Sequence, residues 1–287
     1  AYGACDCDCA EQLDAALAHI AGRRRGALFY LTQEGRGAGF VAKALDRMVV
    51  QASGNRVSTF EAYAQLGIPD DQRTYGEVAG IARLLGVTAP LRLLSNNPDK
   101  VAALRSAGTV VDGAEPLRIP ASPHSQHYLD AKSRAGHTVA STAGIDPAAL
   151  PEPVEVVSPA PVAAGARFVH LAAYLLPVRR AAPVWFRLHV YLDTTARRER
   201  VILTHGAGGD DVLVRLQREA LLDRFAVLAP RFRQRWDAAV ARVVAHGRGI
   251  VLFADADEDV RDLPGPLLAV HARGRRAVPL VLDPDEA

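Results

Sequence analysis

Apolar residues recur along the chain with the two periods that distinguish helices from strands. Over residues 11–22 they fall three and four positions apart, at Leu13, Leu17 and Ile20, which predicts an amphipathic helix. Short apolar runs with β-type residues predict strands. The same criteria predict further helices over 40–51, 59–66, 75–85 and 236–244 and from residue 97 onward, and strands over 27–31, 92–94, 109–111, 168–175, 184–192, 200–203, 212–216 and 249–253. This alternation indicates a layered α/β or α+β fold.

Two helix starts and one turn carry more specific signals. Ser58 is placed to cap the helix over 59–66, and Asn97 precedes Pro98 in the order typical of an N-cap and a first helical residue. The stretch 34–39 supplies glycines between a predicted strand and a predicted helix. Such a turn lets backbone N–H groups approach a phosphate or a base edge, but glycine is also needed wherever φ is positive. Taken alone, the turn favours the second explanation.

The composition changes in the middle of the chain. From residue 139 to about residue 166 the sequence is rich in Ala, Pro, Ser and Val. This composition predicts a semi-stiff linker over 139–166, between one domain over 1–138 and another over 167–287.

The bulk composition narrows the classes of function. The 287 residues suit one large domain or two of ordinary size, and 49% of them are hydrophobic. A net charge of +2 is too small to indicate nucleic-acid binding by charge. No apolar run reaches the ~20 residues that cross a bilayer, and no secretory signal is visible. We therefore expect neither nucleic acid nor a membrane as a partner.

All the cysteines of the chain, Cys5, Cys7 and Cys9, lie in one short stretch. In an extended strand this alternate spacing places them on one face, where thiolates favour a cation such as zinc. Ordinary buried cysteines are the alternative, and a disulfide is poorly supported because neighbours so close diverge or strain the bridge. Clustered thiols without a disulfide framework fit a reducing cytoplasm.

Four short motifs follow one another in a recognisable order. They are CDCAEQL at 7–13, QEGRGAG at 33–39, LSNNP at 94–98, and HYLDAK at 127–132 with GH at 136–137. Together they resemble the GTP cyclohydrolase II family, zinc enzymes that open the guanine ring of GTP at the head of riboflavin synthesis. The resemblance runs from residue 2 to about residue 138 and implies an α+β fold, with helices flanking a mixed sheet. It also implies release of formate and pyrophosphate, with Zn²⁺ on the protein and Mg²⁺ on the phosphates.

The resemblance implies roles for individual residues. Cys7 and Cys9 match zinc ligands, Asp71 matches a proton-transfer aspartate, and Arg73 matches an arginine that engages the α-phosphate. Taken alone, Asp71 and Arg73 would rather be a helix-start aspartate and a solvated arginine. The positions that match nucleotide contacts are Gln12, Glu34, Gly35, Arg36, Thr59, Ser95 and Lys100.

Three features depart from the family pattern. The family's third zinc cysteine lies in an upstream segment that this chain does not have before Ala1. Either that ligand belongs to a removed N-terminal piece, which we favour, or Cys5 replaces it. Met48 stands where relatives often have an active-site tyrosine, and Thr32 stands where they have an arginine. Both substitutions put strict specificity for GTP in doubt.

The second half of the chain echoes the first at a constant offset. A shift of 223 residues lays LDAALA at 13–18 on WDAAVA at 236–241. We infer a degenerate second copy of the fold over 167–287, although a coincidental alanine-rich helix–strand unit would look similar. In this copy Pro230 and Phe232 replace the two cysteines, and ADED at 256–259 replaces QEGR. The two copies would pack within the chain or form a homodimer.

The leading hypothesis is a cytoplasmic, zinc-dependent hydrolase that opens the imidazole ring of GTP or a related nucleotide. Met48 and Thr32 permit a hydrolase of another nucleotide on the same scaffold. The other alternative is a non-catalytic protein that binds zinc and a nucleotide for regulation. It is suggested because the family's third zinc cysteine is missing and the second copy lacks the metal-binding cysteines.

Overall fold

The chain divides into two compact units. The computed structural model describes residues 2–87, 89–151, 154, 166–206, 211–220, 223, 230–255 and 265. One unit comprises residues 5–149 and is called the helical unit; the other comprises residues 1–4 and 150–287 and is called the sheet unit. Part of the predicted linker, at 152–153 and 155–165, and the acidic segment at 256–259 lie outside the described residues.

The helical unit is built from short helices and one pair of strands. Its helices are α1 (Cys9–Arg23), α2 (Phe40–Ala52), α3 (Thr59–Gln65), α4 (Gly76–Leu84), α5 (Pro98–Ser106) and α6 (Gln126–Arg134). Strands β1 (Leu91–Leu94) and β2 (Val111–Glu115) pair in parallel around α5. A single 3₁₀ turn, Gly35–Gly37, precedes α2.

Both predicted helix caps are confirmed. Ser58 accepts a hydrogen bond from the Glu61 N–H at 3.3 Å, and the Glu61 carboxylate accepts one from the Ser58 N–H at 2.7 Å, which completes a capping box. Asn97 accepts a hydrogen bond from the Asp99 N–H at 2.9 Å, with Pro98 as the first residue of α5. These caps set where α3 and α5 begin, and both helices carry predicted site residues at their starts.

Two strand predictions in the helical unit are wrong in detail. The segment 27–31 forms no strand, and the strand expected over 109–111 lies at Val111–Glu115. Phe29 and Leu31 pack against a small core formed by Val78, Leu104 and Val111. This packing explains two residues of the apolar run, because apolar burial does not require pairing with a neighbouring strand, whereas Leu28 and Tyr30 are exposed.

The sheet unit contains one mixed sheet. Its strands are β3 (Phe168–Val178), β4 (Val184–Asp193), β5 (Arg198–His205), β6 (Leu213–Glu219) and β7 (Gly249–Asp255), in the order β3-β4-β5-β7-β6. Strands β6 and β7 are parallel and the other neighbours are antiparallel. Helix α7 (Pro230–His246) connects the parallel pair, as such a connection requires. The predicted mixed sheet with flanking helices is confirmed.

Helix α7 packs against the sheet through a glycine and a tryptophan. A Cβ on Gly249 would lie 2.9 Å from a Val243 methyl, so the strand approaches the helix closely. Trp236 is buried, and its ring centroid lies 5.5 Å from that of Phe253. The Tyr2 ring lies 4.5 Å from the same Phe253 ring, which places the start of the chain in the sheet unit.

A buried aspartate holds the end of β4. Asp193 is fully buried and lies 3.2 Å from the guanidinium of Arg167 and 3.6 Å from that of Arg200. Its Oδ1 also accepts hydrogen bonds from the N–H groups of Thr195 and Ala196 at 3.1 and 3.0 Å. Burial opposes ionisation, but these hydrogen bonds and cations outweigh it and hold the pKa of Asp193 below its usual value.

In the part of the chain that the structure describes, no helix has both the length and the apolar character needed to cross a bilayer.

Candidate active site

The thiols of Cys7 and Cys9 face each other at the start of α1. Cys7 is half-buried and Cys9 is exposed, and the Cys7 thiol donates a hydrogen bond to the Cys9 sulfur. This hydrogen bond lowers the pKa of Cys9 to about 6, with help from Lys132 and Lys43 against the opposing effect of burial. The same hydrogen bond raises the pKa of Cys7, so the pair shares one proton.

The pair fits two of the ligands that zinc requires. A thiolate and a neighbouring thiol are the donor set that zinc prefers, and metal binding displaces the remaining proton. Cys5 is buried. Among the described residues, no group of three His, Cys, Asp or Glu side chains is arranged to hold a metal ion.

Two ion pairs fix the segment that carries the thiols. Asp6 lies 3.3 Å from the guanidinium of Arg47 on α2, and Asp8 lies 2.9 Å from the ammonium of Lys132 on α6. The amide of Gln12 also donates a hydrogen bond to the Asp8 carboxylate. The aspartates that alternate with the cysteines therefore anchor this segment, because each forms an ion pair with a helix distant in sequence.

The glycine-rich turn requires glycine for two physical reasons. Gly35, Gly37 and Gly39 all have positive φ. A Cβ on Gly37 would lie 2.8 Å from the carbonyl carbon of Gln72, so the turn also lies against the backbone of the loop over 70–74. Arg36 has φ 54°, which a residue other than glycine seldom adopts.

Several hydrogen bonds join this turn to the loop over 70–74. The Gln72 N–H donates to the Arg36 carbonyl at 2.8 Å. The Gln33 amide donates to the Thr74 carbonyl and accepts from the Thr74 N–H, both at 3.0 Å. The motif QEGRGAG and the loop that contains Asp71 and Arg73 therefore form one local structure.

Asp71 and Arg73 form a close ion pair within that loop. Arg73 Nε lies 2.9 Å from Asp71 Oδ1, and a second guanidinium nitrogen contacts Oδ2. Burial opposes ionisation of Asp71, but the hydrogen bonds and the charge of Arg73 outweigh it and lower the pKa. Asp71 is therefore a carboxylate at neutral pH, able to accept a proton.

Cationic side chains converge beside the two pairs. We call Arg36, Arg73, Lys100 and Lys132 the cationic cluster. Burial and the charges of Lys132, Arg73 and Arg36 lower the pKa of His137, and burial with Arg73 and Lys132 lowers that of Lys100. Lys100 also interacts with Asp71 and with Cys9, and both raise its pKa. Through Lys100 the cluster interacts with both Cys9 and Asp71, and its concentrated positive charge suits a polyphosphate.

The remaining predicted contact residues differ in how they are held. The guanidinium of Arg36 stacks on the Phe60 ring, 4.0 Å from its centroid, and Glu34 lies 3.1 Å from the Lys43 ammonium. The Tyr63 hydroxyl donates to the Gly35 carbonyl at 2.9 Å. The Ser95 hydroxyl is used locally, because it accepts from the Asn97 N–H at 3.1 Å.

Thr59 is buried at the start of α3, and its hydroxyl donates to the Asp46 carboxylate at 2.8 Å. The aspartate was not expected from the sequence, and neither were Lys43 and Tyr128. Burial raises the pKa of Tyr128 to about 12, while Lys132 opposes that rise. Tyr128 and Lys132 both belong to the motif HYLDAK, so the motif itself was the available signal.

The comparisons with known proteins give a family match in both halves of the chain and individual relatives that cover about half of it. The sequence profile of the GTP cyclohydrolase II family matches residues 1–116 and 176–273, together well over half of the chain. The GTP cyclohydrolase-2 of Azotobacter vinelandii is 43% identical over 136 residues, which cover 47% of this chain and 64% of that protein. The GTP cyclohydrolase-2 of Escherichia fergusonii is 43% identical over 137 residues, which cover 47% of this chain and 67% of that protein.

A match of similar length covers a smaller share of a longer relative. The riboflavin biosynthesis protein RibBA of Cytophaga hutchinsonii is 42% identical over 139 residues, which cover 48% of this chain and 33% of that protein. The chain therefore spans from about a third to about two thirds of the lengths of these curated relatives.

Proposed function

Because this chain belongs to the GTP cyclohydrolase II family, we propose that it hydrolyses the imidazole ring of GTP in a zinc-dependent reaction that releases formate and pyrophosphate. The observation that carries the proposal is the position of Lys100, which interacts both with Cys9 and with the Asp71–Arg73 pair. This interaction supports a single site that would combine thiols for a metal, a carboxylate for proton transfer and cations for phosphates.

Cys7 and Cys9 would hold the zinc ion. Zinc bound there would supply the Lewis acidity that hydrolysis of a C–N bond needs near neutral pH. Lys132 and Lys43 favour the thiolate form of Cys9, and Asp6 and Asp8 hold the segment in place through their ion pairs.

Asp71 would accept a proton from the reacting groups. Arg73 keeps its pKa low, so the carboxylate is available as a base at neutral pH. Arg73 would engage the α-phosphate, because its planar fork matches two phosphate oxygens as it now matches two carboxylate oxygens. Binding of the phosphate in place of Asp71 would free the carboxylate for proton transfer.

The other members of the cationic cluster would bind the rest of the triphosphate, together with Mg²⁺. Arg36 presents its guanidinium from a turn that the loop over 70–74 supports, and burial makes the ammonium of Lys100 more responsive to an added anion. Glu34 would pair with the N–H groups of guanine. Gln12, Gly35, Thr59 and Ser95 complete the proposed contacts.

The test is release of formate by the full chain in the presence of zinc. We expect formate and pyrophosphate from GTP and none from CTP or UTP. Cys7→Ser and Cys9→Ser should each lose bound zinc and formate release, because oxygen replaces a thiolate ligand. Cys5→Ser is the matched control and should keep both.

The outcomes separate the alternatives. Formate release that survives Cys7→Ser and Cys9→Ser would refute the proposed zinc site. Release from a pyrimidine nucleotide but not from GTP would favour another hydrolase, to which Met48 and Thr32 point. Binding of zinc and GTP without formate would favour a regulatory protein, an alternative supported by the lack of a third metal ligand among the described residues. Loss of zinc from Cys5→Ser would make Cys5 that ligand.

We propose that the second half is a degenerate, non-catalytic copy of the same fold. The family profile matches residues 176–273 in addition to residues 1–116, which supports this proposal. The residues at the positions of the two cysteines, Pro230 and Phe232, have no metal-binding atoms in their side chains. The full chain carrying both Cys7→Ser and Cys9→Ser should bind no zinc and release no formate, because the second copy would supply neither.

A further inference from the structure

Asp46 on α2 is a buried carboxylate to which none of the roles above assigns a task. It is 4% exposed. Its Oδ2 accepts a hydrogen bond from the Thr59 hydroxyl at 2.8 Å. Its Oδ1 is buried and has no hydrogen-bond partner among the described residues. Thr59 is one of the residues that match nucleotide contacts, so Asp46 is hydrogen-bonded to a residue of the proposed site.

A carboxylate is a costly residue at this position. A buried charged group with an unsatisfied oxygen loses hydration that nothing replaces. Burial accordingly raises the pKa of Asp46 to about 6, although Arg47, Thr59 and Arg36 oppose that rise. An asparagine of the same shape would avoid the cost of the charge. Stability alone therefore does not explain the acid, and a role in the site would.

The hydrogen bond from Thr59 determines how that hydroxyl can meet a ligand. A threonine hydroxyl carries one proton and two lone pairs. Because the proton is committed to Asp46, the oxygen is left to act as an acceptor. A carboxylate can only accept, whereas the amide of an asparagine could turn its NH₂ group toward Thr59 and leave the hydroxyl to donate to the ligand instead. Asp46 thus restricts the chemistry that Thr59 presents.

We propose that Asp46 is a positioning residue for nucleotide recognition: it holds the Thr59 hydroxyl as an acceptor, directed at an N–H or O–H donor of the bound nucleotide. The inference rests on the proposed function, because it places a nucleotide against Thr59. The donors available are the N1–H and amino group of guanine and the ribose hydroxyls. Asp46 acts through Thr59 and does not touch the nucleotide.

The charged and titratable groups that face Asp46 come from every neighbouring part of the helical unit. Arg47 lies on the same helix, Arg36 lies in the glycine-rich turn, and both favour the carboxylate. Asp6 in the thiol segment disfavours it. Tyr63 on α3 is affected by Asp46, because burial and, to a smaller extent, the charge of Asp46 raise the pKa of Tyr63 to about 12. The pH dependence due to Asp46 is therefore the difference between wild type and Asp46→Asn, because these other groups are present in both.

The experiment compares three variants of the full chain with zinc and GTP. Asp46→Asn removes the charge at constant shape, Thr59→Val removes the hydroxyl at constant volume, and the third variant combines them. We expect Asp46→Asn to raise KM for GTP about tenfold and to change kcat by less than about twofold. The double variant should be no worse than Thr59→Val, since the effect passes through the hydroxyl. Asp112→Asn, an exposed aspartate of β2, is the control and should resemble wild type.

Thermal unfolding and pH provide readouts that a structural role would not produce. Asp46→Asn should unfold at the wild-type temperature or above it, because it removes a buried charge. In wild type, KM should rise as the pH falls through about 6, the pKa of Asp46, and this rise should be absent in Asp46→Asn. A lower unfolding temperature with proportional losses in kcat would instead indicate a structural residue and overturn the proposal.

The remaining outcomes are also decisive. If wild type is active on GTP and Asp46→Asn has the wild-type KM, the inference fails and the proposed function stands. If Asp46→Asn weakens the Thr59→Val variant further, the two residues act independently and the inference fails. If wild type binds GTP without releasing formate, the proposed function fails, and Kd for GTP replaces KM in the same comparison. If wild type does not bind GTP, both fail.

Discussion

Replacing Lys132 by methionine would remove the cation from the ion pair that anchors the thiol segment. Lys132 Nζ lies 2.9 Å from Asp8 Oδ1, and the two side chains are only 13% and 4% exposed. In the variant, Asp8 stays buried and keeps one hydrogen bond, from the amide of Gln12. Methionine preserves the aliphatic volume, so the loss of charge dominates the effect.

The burial of the pair determines the magnitude. Removing one partner of a buried pair costs roughly 3–5 kcal/mol, and the remaining bond from Gln12 places our expectation near 3 kcal/mol. The matched control is Arg23→Met in the exposed pair of Arg23 with Glu115, at 3.5 Å and with exposures of 55% and 34%. That variant should cost no more than about 0.5 kcal/mol.

The assay is denaturation by urea, followed with two signals. Trp185 and Trp236 lie in the sheet unit, so their fluorescence reports that unit, whereas helical circular dichroism reports mainly on α1–α6. Lys132→Met should shift the helical signal and leave the fluorescence transition unchanged. The double variant with Asp8→Asn should be more stable than Lys132→Met alone, because the buried charge is gone.

Two results would refute this reasoning. A cost for Lys132→Met equal to that of Arg23→Met would mean that solvent already screens the pair. An equal shift of both signals would mean that the effect is not local to the helical unit. If the reasoning holds, the affinity for zinc should also fall by about tenfold or more, because the thiol segment loses one of its supports.

Three further predictions concern other parts of the molecule. Gly37→Ala should destabilise the helical unit by about 2–3 kcal/mol, because its Cβ would lie 2.8 Å from the Gln72 carbonyl carbon. Gly54→Ala, which also has positive φ but open space around the added Cβ, should cost only about 1 kcal/mol in the same urea titration. Asp193→Asn should destabilise the sheet unit by about 3 kcal/mol at neutral pH, measured by fluorescence. Its pKa is lowered in the folded state, so this stabilisation is present above the unfolded value of about 3.9 and should disappear as the pH falls through the lower folded value. Arg73→Lys should reduce kcat/KM for GTP by about a hundredfold with little change in stability, because the charge stays and the fork is lost; wild-type kinetics in this variant would contradict the proposed role.

Local chemistry in the sequence was sufficient for the caps and for most helices. Ser58 with Glu61, and Asn97 with Pro98, satisfy backbone groups within a few residues, so their pattern could be recognised without any knowledge of the rest of the fold. The ordered motifs likewise identified the family. The anchoring of Asp8 by Lys132 could not be predicted in this way, because 124 residues separate the two partners.

The buried carboxylate of Asp46 shows the same limit. In the sequence it is one polar residue in an amphipathic helix, which would ordinarily face solvent. Its burial and its bond to Thr59 depend on how α2 and α3 pack, since the bond joins residues on two different helices. The sequence contained the acid, and only the packing turned it into a group that could serve the site.

The two helix–strand units related by the 223-residue offset show most clearly what the sequence determines and what the tertiary structure decides. Both halves carry the same apolar pattern, and from that pattern alone each should form a helix followed by a strand. In the second half, residues 249–255 form a strand because β5 and β6 supply hydrogen-bonding partners on both sides. In the first half, residues 27–31 do not form a strand, and Phe29 and Leu31 pack on a small core instead. The sequence determined where apolar residues recur, whereas tertiary structure decided which of them are buried and whether the backbone joined a sheet, because burial and strand pairing depend on neighbours that lie elsewhere in the chain.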